Sequence, residues 1–145
     1  METTVKHAAL EEAEQVHQQI PEFSPDYLKR FYSEKYNEKK RVVLTAQTGN
    51  ENSGYLIGFD RFNDGSVYCC CFGVAPPFRR KGVLKALMDY FEQWAEKEGF
   101  KKIKVKTENR FREALSYYIQ NQYAVFDFSK KEKTENNEIW LEKKL

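Results

Sequence analysis

Ser66-Val67-Tyr68-Cys69-Cys70-Cys71-Phe72-Gly73-Val74-Ala75-Pro76-Pro77-Phe78-Arg79-Arg80-Lys81-Gly82-Val83-Leu84, continued to Gly99, decides the fold of this chain. Its first nine residues are short, apolar and aromatic-rich, which predicts a buried strand. Pro76 and Pro77 end it, because each lacks the N–H that a sheet ladder needs. Beyond them Val83, Leu84, Leu87, Met88, Phe91, Trp94 and Ala95 recur at helical spacing, one apolar stripe that Gly99 can close in a left-handed cap. The basic, glycine-containing Arg79–Leu84 segment therefore starts a helix. Unpaired backbone N–H groups and the positive end of the helix dipole meet there, a site for a pyrophosphate or other anion. Arg79, Arg80 and Lys81 add positive charge, and Gly82 lets the backbone approach a ligand closely. Basic side chains at a helix start oppose the dipole unless an anion offsets them, which favours a bound anion over a merely solvated turn.

Outward from this stretch, Thr4-Val5-Lys6 predicts a short first strand, and Leu10 to Ile20 a helix broken by Pro21. Ser24 as N-cap and Pro25 at the first helical position predict a second helix carrying Leu28, Phe31, Tyr32 and Tyr36. Arg41–Ala46 reads as a strand, 49–54 as a turn, and Tyr55–Phe62 as a strand that Asn63-Asp64-Gly65 returns into the Ser66 strand. These are antiparallel hairpins. Past the long helix, Lys102–Thr107 alternates lysines with β-branched residues, a strand with one solvated face. Strand, helix, strand in that order implies a parallel pair with a right-handed crossover. A helix over Arg110–Asn121, a strand over Tyr123–Phe128 and a closing strand from Glu138 to Leu145 complete a mixed α+β layer structure.

At 145 residues the chain is expected to form one compact domain. Charged residues make up 32% and the net charge is +2, so nothing draws the chain as a whole to nucleic acid or to a membrane. No stretch has the roughly eighteen apolar residues of a membrane span, and Met1-Glu2-Thr3-Thr4 does not resemble a signal peptide, so a cytoplasmic location is expected. Cys69-Cys70-Cys71 invites a metal or redox reading, but alternation along a strand lets at most Cys69 and Cys71 share a ligand. A structural zinc site wants about four. No metal is expected, and the thiols are read as small core fillers. His7 and His17 lack a metal-spaced partner and are read as structural or solvent-facing.

Val74-Ala75-Pro76 followed by Arg79-Arg80-Lys81-Gly82-Val83-Leu84 resembles the pyrophosphate loop of the GNAT superfamily of acetyl-CoA-dependent N-acetyltransferases. Leu84 stands where that family usually has a small residue. A second segment, Thr107 to Tyr118, is similar to the family's strand-to-helix stretch with Ala114-x-x-x-Tyr118, and the order of elements matches the GNAT fold over essentially the whole chain. The resemblance implies acetyl-CoA as co-substrate, lying where the Ser66 and Lys102 strands separate. It implies a pantetheine arm paired with the backbone of Phe72, Gly73 and Val74, and a pyrophosphate on the Arg79, Arg80, Lys81, Gly82, Val83 and Leu84 segment.

The same resemblance makes Tyr118 the general acid for the departing thiolate, with Tyr117 in the neighbouring register. Asn109 is carried as a cofactor contact or, alternatively, as a cap of the next helix, since the family's usual asparagine position holds Phe111. Glu22, in the connection between the first two helices, is the candidate to bind or deprotonate the amine, ahead of Asp60 and Arg61; a chain of waters is the alternative. The expected activity is direct attack of a primary amine, on a small molecule or a peptide, on the thioester. A homodimer is compatible with the resemblance. The competing reading is a non-catalytic CoA-binding or protein-interaction domain on a degenerate scaffold, which Leu84, and Gln122 in a usual glycine position, keep open.

Overall fold

A computed structural model describes residues 2–37 and 39–145. Its strands are β1 (Thr3–His7), β2 (Arg41–Thr48), β3 (Glu51–Phe59), β4 (Ser66–Val74), β5 (Lys102–Glu108), β6 (Ala124–Ser129) and β7 (Glu138–Lys144). The helices are α1 (Leu10–His17), α2 (Glu34–Asn37), α3 (Val83–Lys97) and α4 (Arg112–Gln120), with 3-10 turns over Tyr27–Tyr32, Pro76–Phe78 and Thr134–Asn136. The strands form one sheet in the order β1-β2-β3-β4-β5-β7-β6. Neighbours run antiparallel except β4 and β5. The mixed α+β architecture expected from the sequence is present, with one feature of arrangement not foreseen: β7 lies between β5 and β6, which leaves β6 at the edge. The parallel contact is short, in keeping with the strand separation that the resemblance implied.

Each sheet face carries its own apolar layer. Val83, Leu87, Met88, Phe91 and Ala95 of α3 pack on Val42, Leu44, Leu56, Val67 and Ile103. On the other face Leu10, Ala13 and Val16 of α1, with Leu28 and Phe31 of the 3-10 segment, cover Val43, Tyr55, Ile57 and Phe59. No helix among the described residues is long and apolar enough to cross a membrane.

Local chemistry moves several boundaries. The helix expected from Ser24 is instead a 3-10 turn from Tyr27, and Ser24 makes no side-chain cap there. The carbonyls that an α-helix would use are taken: Ser24 O accepts His17 Nε2–H at 2.7 Å and Pro25 O accepts Gln18 Nε2–H at 2.8 Å. The expected 49–54 turn is only Gly49-Asn50, because Thr48 Oγ1 bonds Ser53 Oγ at 2.9 Å and Gln47 bonds Asn52 at 3.3 Å, drawing 51–53 into β3. Asp60 to Phe62 accordingly fall in the following loop.

The cysteine run needs a larger correction. A bulge pairs Ile57 with Cys71 and Gly58 with Cys69, so Cys70 is an extra residue in the ladder. Alternation fails at that point. Cys69 joins the α3-side core while Cys70 and Cys71 both pack toward α1, so the adjacent pair shares a face and the alternate pair does not.

Candidate active site

β4 and β5 pair only from Ser66/Lys102 to Cys69/Val105. From Cys70 onward β4 stays on β3 through Gly54/Val74, and β5 follows β7 through Glu108/Glu138. The sheet therefore forks, and among the described residues no strand lies beside one edge of β4 between Cys70 and Val74. Such an edge offers backbone donors and acceptors to any extended amide-bearing ligand. Phe72, Gly73 and Val74 all lie along it, with Phe72 and Val74 toward α3 and Gly73 toward α1. Gly73 is required by packing. A Cβ there would meet Ile20 Cδ1 and stand 2.8 Å from Tyr55 Cε1, so the connection after α1 sits directly on the β4 backbone.

The start of α3 closes one end of the fork. Its first helical hydrogen bond is Ala86 N–H to Gly82 O at 3.0 Å, and among the described residues no backbone carbonyl accepts from the amides of Arg80, Lys81, Gly82, Val83, Leu84 or Lys85. Gly82 has φ 82° and Arg80 φ 62°, left-handed turns that curl these amides into an arc. Space around Gly82 is open, since a Cβ there would meet nothing within 4 Å, so conformation and not packing explains the glycine. A groove of about 400 Å³ runs from the arc to α4, lined by Arg80, Arg112, Glu113, Ser116, Tyr117 and Gln120. Leu84 is partly buried and packs against the α3-side core.

Arg79 is placed differently from its neighbours. Its amide bonds Pro76 O, its Nε donates to Val74 O at 3.3 Å, and its Nη2 pairs with Glu22 Oε2 at 2.7 Å. It ties the α1 connection to the end of β4. Glu22, its side chain half exposed, keeps Oε1 unpaired at that junction. Asn109 neither caps α4, whose N-cap is Phe111, nor faces the amide arc: its Nδ2 donates to Thr134 O at 2.9 Å. Asp60 accepts from Asn63 N–H in its loop.

Tyr118 is 2% exposed on the inner side of α4, with its ring edge-on to Phe72 at 6.4 Å and 5.1 Å from Tyr123. Its hydroxyl has no hydrogen-bonding partner among the described residues. Thr45 Oγ1 is the one sealed, unpartnered side-chain oxygen among them, so the Tyr118 hydroxyl is not fully sealed. Burial pushes its pKa well up, which keeps it protonated. Tyr117 instead lines the groove.

The α1 face of the fork holds contacts that sequence reasoning did not foresee. His17 Nε2 meets a carbonyl, which can only accept, so this nitrogen carries the proton and Nδ1 accepts from Tyr55 O–H at 2.7 Å. Tyr27 Oη lies 3.8 Å from Cys70 Sγ. A hydrogen bond from Cys71 holds the Cys70 thiol below its usual range, helped by Tyr27 and by the charges of Arg30 and Arg61, whereas burial drives Cys71 up. None of this was legible, because the bulge that turns Cys70 and Cys71 to one side has no sequence mark.

With this geometry in hand, the model of the Acetyltransferase (GNAT) family matches residues 7–121. No curated protein matches the chain. Among solved structures, an IAA acetyltransferase from Bacillus cereus is 14% identical with a TM-score of 0.79, over 99% of this chain and 100% of that one. The ribosomal-protein-S18-alanine N-acetyltransferase from Escherichia coli is 13% identical at TM-score 0.79, over 99% and 94%. The PaiA N-acetyltransferase from Thermoplasma acidophilum, solved in complex with coenzyme A, is 16% identical at TM-score 0.71 over 100% of both chains.

Proposed function

The chain belongs to the GNAT acetyltransferase family, and on that premise we propose that it transfers the acetyl group of acetyl-CoA to the primary amine of a small molecule or peptide by direct attack. The observation that carries this reading is the coincidence of the fork with the free amides of Arg80 to Lys85 at its end. An anion needs what that arc has: N–H groups without backbone acceptors, a helix dipole and the cations Arg80 and Lys81, which have no carboxylate partner among the described residues. The free β4 edge from Phe72 to Val74 suits the amides of a pantetheine arm, and the structure of the Thermoplasma relative with coenzyme A supports the same class of ligand. When bound, acetyl-CoA supplies an activated acyl carbon and a thiolate leaving group.

The chain's own groups then have separate tasks. Tyr118, protonated and partnerless, donates its proton to the departing sulfur from the α3 side of the fork. Glu22, whose Oε1 has no partner among the described residues, takes up the proton that the attacking nitrogen loses, on the α1 side. A backbone N–H of the β4 edge, that of Val74 by resemblance, polarises the carbonyl oxygen. Release of CoA thiol on mixing acetyl-CoA with a panel of primary amines tests the proposal. Saturable, amine-dependent release is expected. Release no faster than hydrolysis across small amines and peptide N-termini would sink it.

A further inference from the structure

The arginines of the described chain differ in what their guanidinium groups touch. Arg79 and Arg110 pair with Glu22 and Glu108, and Arg41 donates to Phe31 O. Arg80 and Arg112 line the groove beside α3. Arg30 and Arg61 pair with no carboxylate among the described residues, although Lys29, Lys104 and Lys106 nearby pair with Asp26, Asp64 and Glu138.

Arg30 and Arg61 lie by the fork on the face opposite α3, where Tyr27 and Tyr68 pack, whereas Arg80 and Arg112, also without a carboxylate partner among the described residues, lie on the α3 side. Arg30 lies over the Tyr27 ring at 4.0 Å, and the Tyr27 hydroxyl touches Cys70, the first β4 residue beyond the last β4–β5 pair. Arg61 lies 4.9 Å from the Tyr68 ring and 5.6 Å from that of Trp140, which pairs with Lys106, the first β5 residue beyond the same point. Each guanidinium lies against an aromatic ring on an exposed side chain, and an arginine held in this way suits a planar or tetrahedral oxyanion. Arg30 uses only its Nε internally, on Tyr27 O at 3.0 Å.

A cofactor bound along the amide arc occupies the α3 side, so an amine must reach the thioester from this opposite face. We infer that the acceptor amine carries an anionic group of its own, a carboxylate or phosphate, which Arg30 and Arg61 bind while the amine enters the fork from the α1 side. This rests on the acetyl-transfer reading for its purpose and on the two arginines for its chemistry. A second cation on the acceptor meets repulsion instead.

The test compares four small amines on the CoA-saturated protein: β-alanine with a carboxylate, O-phosphoethanolamine with a phosphate, glycinamide with neither and putrescine with a second amine. Calorimetry reads binding and thiol release reads turnover. At least one anionic amine should bind about tenfold or more tighter than glycinamide, the worth of a charge-assisted hydrogen bond, with putrescine weakest. The carboxylate and phosphate arms show which oxyanion is preferred. Arg61→Gln and Arg30→Gln should each raise KM for that amine about tenfold while kcat, and glycinamide binding, change less than about twofold. Equal binding of all four amines, tighter putrescine, or no arginine-dependent binding overturns the inference, whether or not acetyl transfer occurs. Arginine-dependent binding without thiol release on any amine would instead count against the transfer reading alone.

Discussion

Tyr118 shows how a single side chain acquires a role from what surrounds it. Three of its neighbours are aromatic, Phe72, Tyr117 and Tyr123, and its hydroxyl is the group in this cluster without a protein partner or a place on the groove. Tyr123 uses its hydroxyl on Glu92 Oε2 at 2.8 Å, a packing role. Tyr118→Phe keeps the ring and removes only the proton donor, so kcat should fall about 10- to 100-fold with acetyl-CoA affinity unchanged within a few-fold. The low end is expected because a thiolate, with a thiol pKa of about 8.5, leaves tolerably without help. Since burial raises the Tyr118 pKa, the donor stays protonated through neutral and mildly alkaline pH. A wild-type pH–rate profile should show no loss of kcat below about pH 10 that Tyr118→Phe abolishes. Unchanged turnover in Tyr118→Phe with collapse in Tyr117→Phe would move the role to the groove-lining neighbour. The resemblance named Tyr118, with Tyr117 in the neighbouring register, and the fold sets Tyr118 on the inward side of α4 against Phe72, 46 residues away in the chain.

At the scale of the element, the start of α3 and the free edge of β4 make different demands on their glycines. Gly82 needs a left-handed φ but has open space, so Gly82→Ala should cost about 1 kcal/mol of stability and leave CoA binding within a few-fold. Gly82→Asp adds a negative charge beside the amide arc and should abolish the acetyl-CoA thermal shift while far-UV dichroism stays native. Retained binding in Gly82→Asp would mean the arc does not hold the phosphates. Gly73 has the reverse problem. Its Cβ would press on Tyr55, whose hydroxyl is fixed on His17, and overpacking of this kind costs about 1 to 3 kcal/mol, to be read as a lowered denaturant midpoint in Gly73→Ala. The α3 stripe and the left-handed Gly99 cap were plain in the sequence because both are local signals. The Ser24 helix was misread because His17 and Gln18, which take its carbonyls, lie in a different element.

For the whole molecule, a ligand spanning the fork should bind the folded chain alone and stabilise it by mass action. Acetyl-CoA at about 100 times its dissociation constant should add about 2.7 kcal/mol and raise the melting temperature by several degrees. A melt unmoved by millimolar acetyl-CoA would argue that the fork does not take the cofactor. What the sequence determined by itself was everything carried by short-range periodicity and punctuation: the Ser66 strand, its termination at Pro76-Pro77, the α3 stripe, the basic glycine-bearing start of that helix, and so the fold class. Tertiary structure decided what depends on partners far along the chain. The insertion of β7 between β5 and β6, the end of β4–β5 pairing at Cys69/Val105, the bulge that turns Cys70 and Cys71 together, and the Arg79–Glu22 tie each join segments distant in sequence. A strand's apolar pattern says which face is buried but not which neighbour it pairs with or for how many residues, and the fork exists only because β4 and β5 stop pairing.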